Sequence, residues 1–217
     1  MADELIDIFD SDYNCLDRQE MKKQAHKNGL WHRVFTGVLV NQKLKTLYLQ
    51  KKTPGRYSFE RPDYLDISVG GHYKAGESVA DGVREVKEEL GLDVKFSALI
   101  PLGIRQTSAD IAEDYHNNEF QHLFIIPTDK DLPDFAFDGA EVNGLVSIPV
   151  AEGLDLIRGT VKELSVQGVF AVGGMKPLVI SVDDFVPAYL GKDQLMERLF
   201  VAALRFCRGE NASLLFW

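Results

Sequence analysis

The most constraining feature of this sequence is a short amphipathic helix predicted at residues 78–90. Four apolar residues recur at spacings of four, three and four, and therefore share one narrow stripe of an α-helix: Val79, Val83, Val86 and Leu90. Ser78 followed by Asp81 is the capping-box pattern of a helix start, and Gly91 marks the usual stop. Because the stripe must be buried, the helix is expected to pack against a core.

The same helix carries three glutamates near its end, Glu85, Glu88 and Glu89, on the side away from the apolar stripe. Like charges at i, i+4 cost roughly 0.2–0.5 kcal/mol, and carboxylates there oppose the helix dipole. One interpretation is a solvated polar face that Arg84 and Lys87 partly neutralise. The other is a divalent cation, since Mg²⁺ prefers clustered carboxylate oxygens.

A longer motif surrounds these glutamates. Gly71 is followed after five residues by Glu77, and the nine residues 84–92 read REVKEELGL. This resembles the Nudix box, in which Gly, five residues, Glu and seven residues precede Arg-Glu-U-X-Glu-Glu-X-Gly-U, with U aliphatic. Here six residues separate Glu77 from Arg84. The glutamates lie on one helix beyond the missing residue, so their mutual geometry should survive, whereas the placement of Glu77 and Gly71 stays open.

The resemblance implies an α/β fold, a Nudix-type α/β/α sandwich with a mixed central sheet. It also implies that the box binds Mg²⁺ or Mn²⁺ and that the protein cleaves a nucleoside diphosphate linked to another moiety. The residues implied as metal ligands or catalytic groups are Glu85, Glu88, Glu89 and Gly71, with Arg84 orienting a box glutamate by a salt bridge. The expected chemistry is attack of an activated water on phosphorus.

A second resemblance extends toward the N-terminus. The segments CLDRQEMKKQAHKNGLWHRVFTGVLVN, LYLQKK, LDISVGGH and NNEF look like the isopentenyl-diphosphate isomerase branch of the same superfamily. That branch binds a metal through histidines and glutamates, and His26, His32, His72 and Glu119 fall at matching places. Gly70 stands where that branch has its catalytic cysteine. The expectation is therefore an isomerase-like architecture with hydrolase chemistry.

Each of these residues also has a structural interpretation. His72 is a metal ligand or substrate contact, or else makes a structural hydrogen bond. His26 and His32 are interpreted first as ordinary, partly buried histidines near a strand start. Strand alternation predicts that Glu119 and Gln121 share one sheet face. Glu119 is then a general base or an extra ligand in the cleft, or a solvated strand end.

The segment between the predicted hairpin and the box is basic in an acidic protein. Its candidate phosphate-binding residues are Arg33, Lys51, Lys52, Arg56 and Arg61. Ordinary surface solubility explains any single one of them equally well. The small-molecule partner expected there is a diphosphate.

Composition limits the classes of partner and compartment. The net charge of −9, from 24 basic and 33 acidic residues, offers no positive field for nucleic acid or an anionic membrane. The acidic N-terminus lacks the plan of a secretory signal and no segment reaches the length of a membrane helix, so a cytoplasmic protein is predicted. Cys15 and Cys207 suggest neither a disulfide framework nor a thiolate zinc site.

One domain is predicted for residues 1–217, with a core at about 30–150 and a C-terminal extension at 151–217. Strands are predicted at 34–40, 46–50, 95–106, 120–127, 145–148, 167–172 and 178–182. A final amphipathic helix is predicted at about 193–208. The apolar tail LLFW should be buried, which makes a homodimer an open alternative.

Three functions remain open at this point. The favoured one is a Mg²⁺-dependent Nudix pyrophosphohydrolase. The second is an isomerase of isopentenyl diphosphate, and the third is a noncatalytic module that senses nucleotides.

Overall fold

The computed structural model describes residues 3–55, 63–135, 137, 139–191 and 193–211. Its strands are β1 (Leu5–Phe9), β2 (Cys15–Met21), β3 (His32–Asn41), β4 (Thr46–Lys52), β5 (Leu65–Asp66), β6 (Val69–His72), β7 (Ile100–Ala112), β8 (Tyr115–Pro127), β9 (Val142–Pro149), β10 (Glu163–Phe170) and β11 (Gly174–Ser181). Its α-helices are α1 (Lys22–Lys27), α2 (Val83–Leu90), α3 (Val150–Ile157) and α4 (Leu195–Cys207).

A mixed sheet of nine strands lies at the centre of the described chain. Seven strands follow the order β11-β10-β9-β4-β3-β8-β7, while β5 pairs with β4 and β6 pairs with β3. The β3–β8 pair is parallel, and the other pairs of this sheet are antiparallel. β1 and β2 form a separate antiparallel hairpin. Because β10 and β11 belong to the C-terminal extension, that extension continues the same sheet.

Helices cover both faces of the sheet. On one face, α2 buries Val86 and Leu90 in a core that includes Phe35 of β3. On the other face, α3 and α4 contribute Leu154 and Phe200 to a second core. Burying each such side chain contributes roughly 1.5–3 kcal/mol, which is why the two apolar helix faces fix the layers. The predicted α/β/α arrangement with a mixed sheet is confirmed.

The joint before α2 absorbs the residue that the motif lacks. Residues Val79–Gly82 form a 3₁₀ turn rather than the first turn of an α-helix. A 3₁₀ turn uses three residues where an α-helix uses 3.6, so it is the tighter connection. The capping box of Ser78 and Asp81 is confirmed, and Gly91 ends α2 in the left-handed conformation at φ 67°. The predicted boundaries at 78 and 90 are therefore confirmed, although the segment between them begins as a 3₁₀ turn and continues as an α-helix.

Gly82 connects this 3₁₀ turn to α2 and is closely surrounded by rings. A Cβ added there would lie 2.6 Å from Phe35 Cδ2 and 2.7 Å from Tyr73 Cε1. We expect Gly82→Ala to lower the free energy of unfolding by about 1–3 kcal/mol, because two buried rings must shift. Urea denaturation measures the change. Gly191→Ala is the control, since its Cβ would meet only Ala188 O at 3.6 Å, and equal stabilities of the two variants would contradict this packing.

Several elements differ from the sequence-based predictions. The strand predicted at 95–106 is wrong at its start, because residues Phe96–Ala98 form a 3₁₀ turn and β7 begins at Ile100. β10 and β11 begin about four residues before the predicted strands. β3, β4 and α4 confirm the predictions at 34–40, 46–50 and 193–208.

The hairpin of β1 and β2, α1 and α3 were not predicted. α3 follows Pro149 and carries Gly153 in its middle, which favours a break rather than a helix. Gly153 is there because Phe200 of α4 packs directly onto it, and a Cβ would collide with that ring. Close packing of two helices thus overrides the local preference. The predicted burial of the LLFW tail lies outside the described residues.

In the described part of the chain, no helix combines the length and the apolar character that crossing a membrane requires.

Candidate functional site

The floor of the candidate site is one patch of the central sheet. Strand register aligns His32 of β3 with Glu119 of β8 and with Thr107 of β7. The next row, two residues along, aligns His72, Val34, Gln121 and Arg105 across β6, β3, β8 and β7. Because side chains alternate along a strand, both rows project from the same face. His122 projects from the other face, where its ring nitrogen bonds the hydroxyl of Tyr13 at 2.7 Å. The predicted alternation of Glu119, Gln121 and His122 is therefore what the structure shows.

A cluster of three histidines and a glutamate lies on this patch. Candidate ligand atoms of His26, His32, His72 and Glu119 all lie within 4.8 Å of one another. His26, which comes from α1, His32 and Glu119 are buried, and His72 is half-buried. Residues separated by up to about ninety positions thus meet because α1 packs against β8 and β6 pairs with β3.

Hydrogen bonds to carbonyl groups set the tautomers of two of these histidines. His32 Nδ1 donates to Leu30 O at 2.8 Å, and His26 Nδ1 donates to His116 O at 3.1 Å, because a carbonyl can only accept. Each Nε2 is then left with a lone pair. His32 Nε2 is buried and has no hydrogen-bond partner in the described structure. A buried nitrogen with an unused lone pair is a group that a metal ion would satisfy.

Burial also keeps the cluster neutral. It lowers the pKa of His26 and of His32 to about 4, and it lowers the pKa of His72 well below the ordinary histidine range. Burial raises the pKa of Glu119, whose Oε2 accepts a hydrogen bond of 2.8 Å from Gln121. Neutral imidazoles are the form that binds metal ions. This donor set of nitrogens with one carboxylate suits Mn²⁺ or Zn²⁺ better than Mg²⁺.

The box glutamates lie against the other side of β6. Glu85 and Glu89 are buried, whereas the side chain of Glu88 is 48% exposed. The solvated-face interpretation is therefore wrong for Glu85 and Glu89. Glu89 Oε2 accepts hydrogen bonds from Gln50 Nε2 and from the backbone N–H of Gly70, both at 3.2 Å.

A cationic side chain lies beside each of these two carboxylates, but it does not offset the effect of burial on the carboxylate pKa. Arg84 lies 2.9 Å from Glu85, and Lys52 lies 3.3 Å from Glu89. Burial nevertheless raises the pKa of Glu85 to about 7 and raises the pKa of Glu89 above its ordinary range. The ionised carboxylates are therefore short of positive charge, and a divalent cation would supply it.

Arg84 links the loop of the box to its helix. Its guanidinium contacts Glu77 at 3.0 Å, Glu85 at 2.9 Å and Glu88 at 2.8 Å, and it donates to the carbonyl of His72 at 3.2 Å. The other carboxylate oxygen of Glu77 accepts the N–H of Lys74 at 2.7 Å. Glu77 thus reaches Arg84 despite the shortened joint, because the 3₁₀ turn takes up the missing residue.

Gly71 is required by close approach rather than by its backbone conformation. A Cβ at this position would overlap the carboxylate of Glu85. We expect Gly71→Ala to displace that carboxylate and to lower metal affinity about 10- to 100-fold, the range seen when the support of a metal site is disturbed. Calorimetric titration with Mn²⁺ measures it. Gly70→Ala is the comparison, since its Cβ would meet only the flexible end of Ile67 at 3.0 Å, and an equal loss in both variants would argue against the Glu85 contact.

Two cavities meet at β6. The first, the box cavity, has a volume of about 520 Å³ and is lined by Glu85, Glu88, Glu89, His26 and residues of α1. The second, the sheet cavity, has a volume of about 420 Å³ and lies over the patch that carries Val34, Glu119 and Gln121. Both are lined by Lys52, Gly70, Gly71, His72 and Tyr115. One ligand can therefore contact the box glutamates and the histidine cluster together.

The structure distributes the predicted phosphate-binding residues differently. Lys52 lies between the two cavities. Lys51 points elsewhere and bonds Asp63 through its ammonium group at 2.8 and 3.0 Å. Arg33 lies between the rings of Phe9 and Tyr73 and donates to Glu77 O at 2.7 Å, so it supports the box loop. These two positions give no contact with either cavity, and Arg56 and Arg61 lie outside the described residues.

Other cavity residues were missed by sequence reasoning. Lys22, Lys23 and Lys27 of α1 line the box cavity opposite the glutamates. Arg105 and the segment Val186–Tyr189 line the sheet cavity. The spacing of Lys22 and His26 on one helix face could have indicated the lysine, but nothing local indicates that a segment more than seventy residues beyond β7 returns to this sheet.

Comparisons with known proteins agree with this geometry. The family model described as the NUDIX domain matches residues 30–163, which is more than half of the chain. An uncharacterized Nudix hydrolase of Clostridium acetobutylicum is 33% identical over 214 residues, covering 91% of this chain and 97% of the relative. Another, from Nostoc, is 28% identical over 137 residues, covering 56% of this chain and 79% of the relative.

A solved structure shows the same fold. The crystal structure of a protein from Deinococcus radiodurans has a TM-score of 0.52 and 22% identity, and the match covers 72% of this chain and 90% of that protein. At this identity the likeness concerns the fold alone. It supports the α/β sandwich predicted from the motif.

Proposed function

We propose that this chain, which belongs to the Nudix family of hydrolases, is a divalent-metal-dependent pyrophosphohydrolase that cleaves a nucleoside diphosphate linked to another group, or a related organic diphosphate. The observation that carries the proposal is the buried pair Glu85 and Glu89, whose raised pKa values indicate a shortage of positive charge directly beside a cavity. A diphosphate with its cation fits both requirements.

The donor chemistry assigns two kinds of position for cations. Glu85, Glu88 and Glu89 offer carboxylate oxygens suited to Mg²⁺ or Mn²⁺, and the backbone of Gly71 closely approaches the carboxylate of Glu85. His26, His32, His72 and Glu119 offer nitrogens and one carboxylate, a set suited to Mn²⁺. Bound there, such ions would neutralise the diphosphate and lower the pKa of a coordinated water.

The remaining chemistry is supplied by side chains around β6. Lys52 lies where it can bind a phosphate oxygen from between the two cavities. Arg84 holds the box carboxylates in place through its contacts with Glu85 and Glu88. In its ionised form Glu119, oriented by Gln121, can accept a proton from a water molecule that approaches phosphorus over the sheet patch.

The direct test is a panel of nucleoside diphosphate derivatives and organic diphosphates incubated with Mg²⁺ or Mn²⁺ and read by product mass. We expect cleavage of the phosphoric anhydride for at least one compound and none in excess EDTA, because the carboxylates alone provide no electrophile. Binding of diphosphates without release of any product would instead favour the sensing module and would refute the proposed hydrolase function.

The histidine cluster favours a second candidate, an isomerase of isopentenyl diphosphate. Against it, Gly70 occupies the position of the required thiol, Cys15 is exposed, and neither Cys15 nor Cys207 lines either cavity. Proton transfer to a double bond then lacks its acid or base group. Formation of the allylic product from isopentenyl diphosphate with metal present would overturn this preference.

A further inference from the structure

The C-terminal segment that follows β11 forms one wall of the sheet cavity. The NUDIX match ends at residue 163, yet Val186, Pro187, Ala188 and Tyr189 line this cavity together with the patch on β3, β7 and β8. Residues 185–191, which together with Asp193 we call the wall segment, lie between β11 and α4. They bring a part of the chain outside the family match into the candidate substrate site.

Three polar contacts and one buried ring hold the wall segment in place. Phe185 is fully buried and pairs with Leu65 of β5, where Val186 N donates to Leu65 O at 3.4 Å. The hydroxyl of Tyr189 donates to the buried carboxylate of Asp66 at 3.0 Å. The carboxylate of Asp193 pairs with the guanidinium of Arg105 on β7, with one contact of 3.3 Å. The segment is therefore fixed at both ends, on β5 and on β7.

The cavity end next to the wall segment combines apolar side chains with charged groups that are already bonded within the protein. Its aliphatic lining includes Ile67, Val186, Pro187 and Ala188, and its buried carboxylate, Asp66, accepts the hydroxyl of Tyr189 at 3.0 Å. The positive charge at this end of the described lining belongs to Arg105, which is paired with Asp193, donates to Gln121 at 3.0 Å and lies 5.8 Å from the ring of Tyr189. A second phosphate would have to compete with Asp193 for the guanidinium of Arg105. An uncharged group needs no such counter-charge.

The charged residues at β6 and the wall segment would contact different parts of one bound ligand. We propose that the wall segment determines substrate choice by packing against the group that the diphosphate carries, and that this group presents an uncharged, apolar face. The proposal rests on the hydrolase function for its chemistry. Its own content is the position and character of the wall, which lines the sheet cavity and does not line the box cavity.

The test compares ethyl and hexyl diphosphate as substrates and the matching ethyl and hexyl methylenediphosphonates as ligands, with Mn²⁺ present. Each fully buried methylene improves binding by roughly fourfold, so four additional methylenes that are only partly buried in an open cavity should raise kcat/KM and affinity on the order of 10- to 100-fold. Ala188→Glu, at an exposed position of the wall, should reduce that ratio to about threefold or less, because a charge then meets the alkyl chain.

Ala171→Glu, at an exposed turn between β10 and β11 away from both cavities, is the matched control and should keep the wild-type ratio. Equal affinity for the ethyl and hexyl phosphonates, or the same ratio in both variants, would overturn the proposal while leaving hydrolysis intact. A hexyl preference in calorimetry, with no cleavage of any compound in the diphosphate panel, would instead remove the hydrolase function and keep the wall. Thermal unfolding of both variants verifies that they are folded.

Discussion

Glu85→Gln is expected to lower kcat by about 10²- to 10³-fold while leaving the protein folded, and steady-state kinetics on the substrate found in the panel measures it. The amide keeps the shape and burial of the side chain but removes the negative charge that would bind a cation beside Gly71. Glu85 is the better choice than Glu89, because Glu89 also accepts hydrogen bonds from Gln50 and from the backbone N–H of Gly70, which an amide in its place would disturb. Glu152→Gln, on the exposed surface of α3, is the matched control, and an unchanged kcat in Glu85→Gln would refute the box assignment.

The same variant should separate activity from stability. Burial raises the pKa of Glu85 to about 7 from an ordinary value near 4.5, so the folded state holds a proton that the unfolded chain releases between those pH values. Ionised Glu85 therefore destabilises the metal-free fold as pH rises through 7. In EDTA, Glu85→Gln should gain about 1–3 kcal/mol over wild type at pH 8 and nothing at pH 4. Urea unfolding at both pH values measures the difference, and a loss of stability at pH 8 would contradict this account.

His32→Gln is expected to weaken Mn²⁺ binding by more than about 100-fold, exceeding the 10- to 100-fold typical of residues that merely support a metal site. His32 Nε2 is buried with its lone pair unused, and Nδ1 is fixed by Leu30, so the ring has one direction in which to bind. Titration calorimetry or the electron paramagnetic resonance signal of free Mn²⁺ gives the affinity.

His116→Gln provides the control for that experiment. His116 also lies near the cluster, but its side chain bonds Asp110 at 2.6 Å and only its backbone carbonyl contacts His26. Its substitution should leave the Mn²⁺ affinity within about threefold of wild type. If His32→Gln and His116→Gln bind Mn²⁺ equally well, the histidine cluster is a packing feature and not a metal centre.

How far the sequence could predict the site depends on the range of the interactions. The box helix was predictable because its apolar stripe, its cap and its stop are all encoded within fifteen residues. The strand alternation that separates Glu119 from His122 is equally local. The burial of Glu85 was not predictable, since it depends on a glycine in β6 leaving room for a carboxylate from another element.

The histidine cluster shows the same limit. The resemblance to the isomerase branch named these four residues together, but the sequence around His26 favoured an ordinary histidine, because its partners are brought from positions 72 and 119 by strand pairing. Lys51 and Lys52 could not be distinguished either, although strand alternation turns only one of them toward the cavities. The wall segment was the least predictable part, because its contacts with Leu65, Asp66 and Arg105 connect it to β5 and β7, two strands that are far from it in sequence.

Strand β6 is short, and its two glycines leave almost no side-chain bulk between the layer that contains α2 and the layer on the opposite face of the sheet. A molecule bound across β6 would contact both layers without being buried in either hydrophobic core. Substitutions that reshape the far compartment could then change what is accepted without disturbing the carboxylates that act on phosphorus. Substrate preference could thus change while the reaction at phosphorus stays the same, although both depend on one small domain.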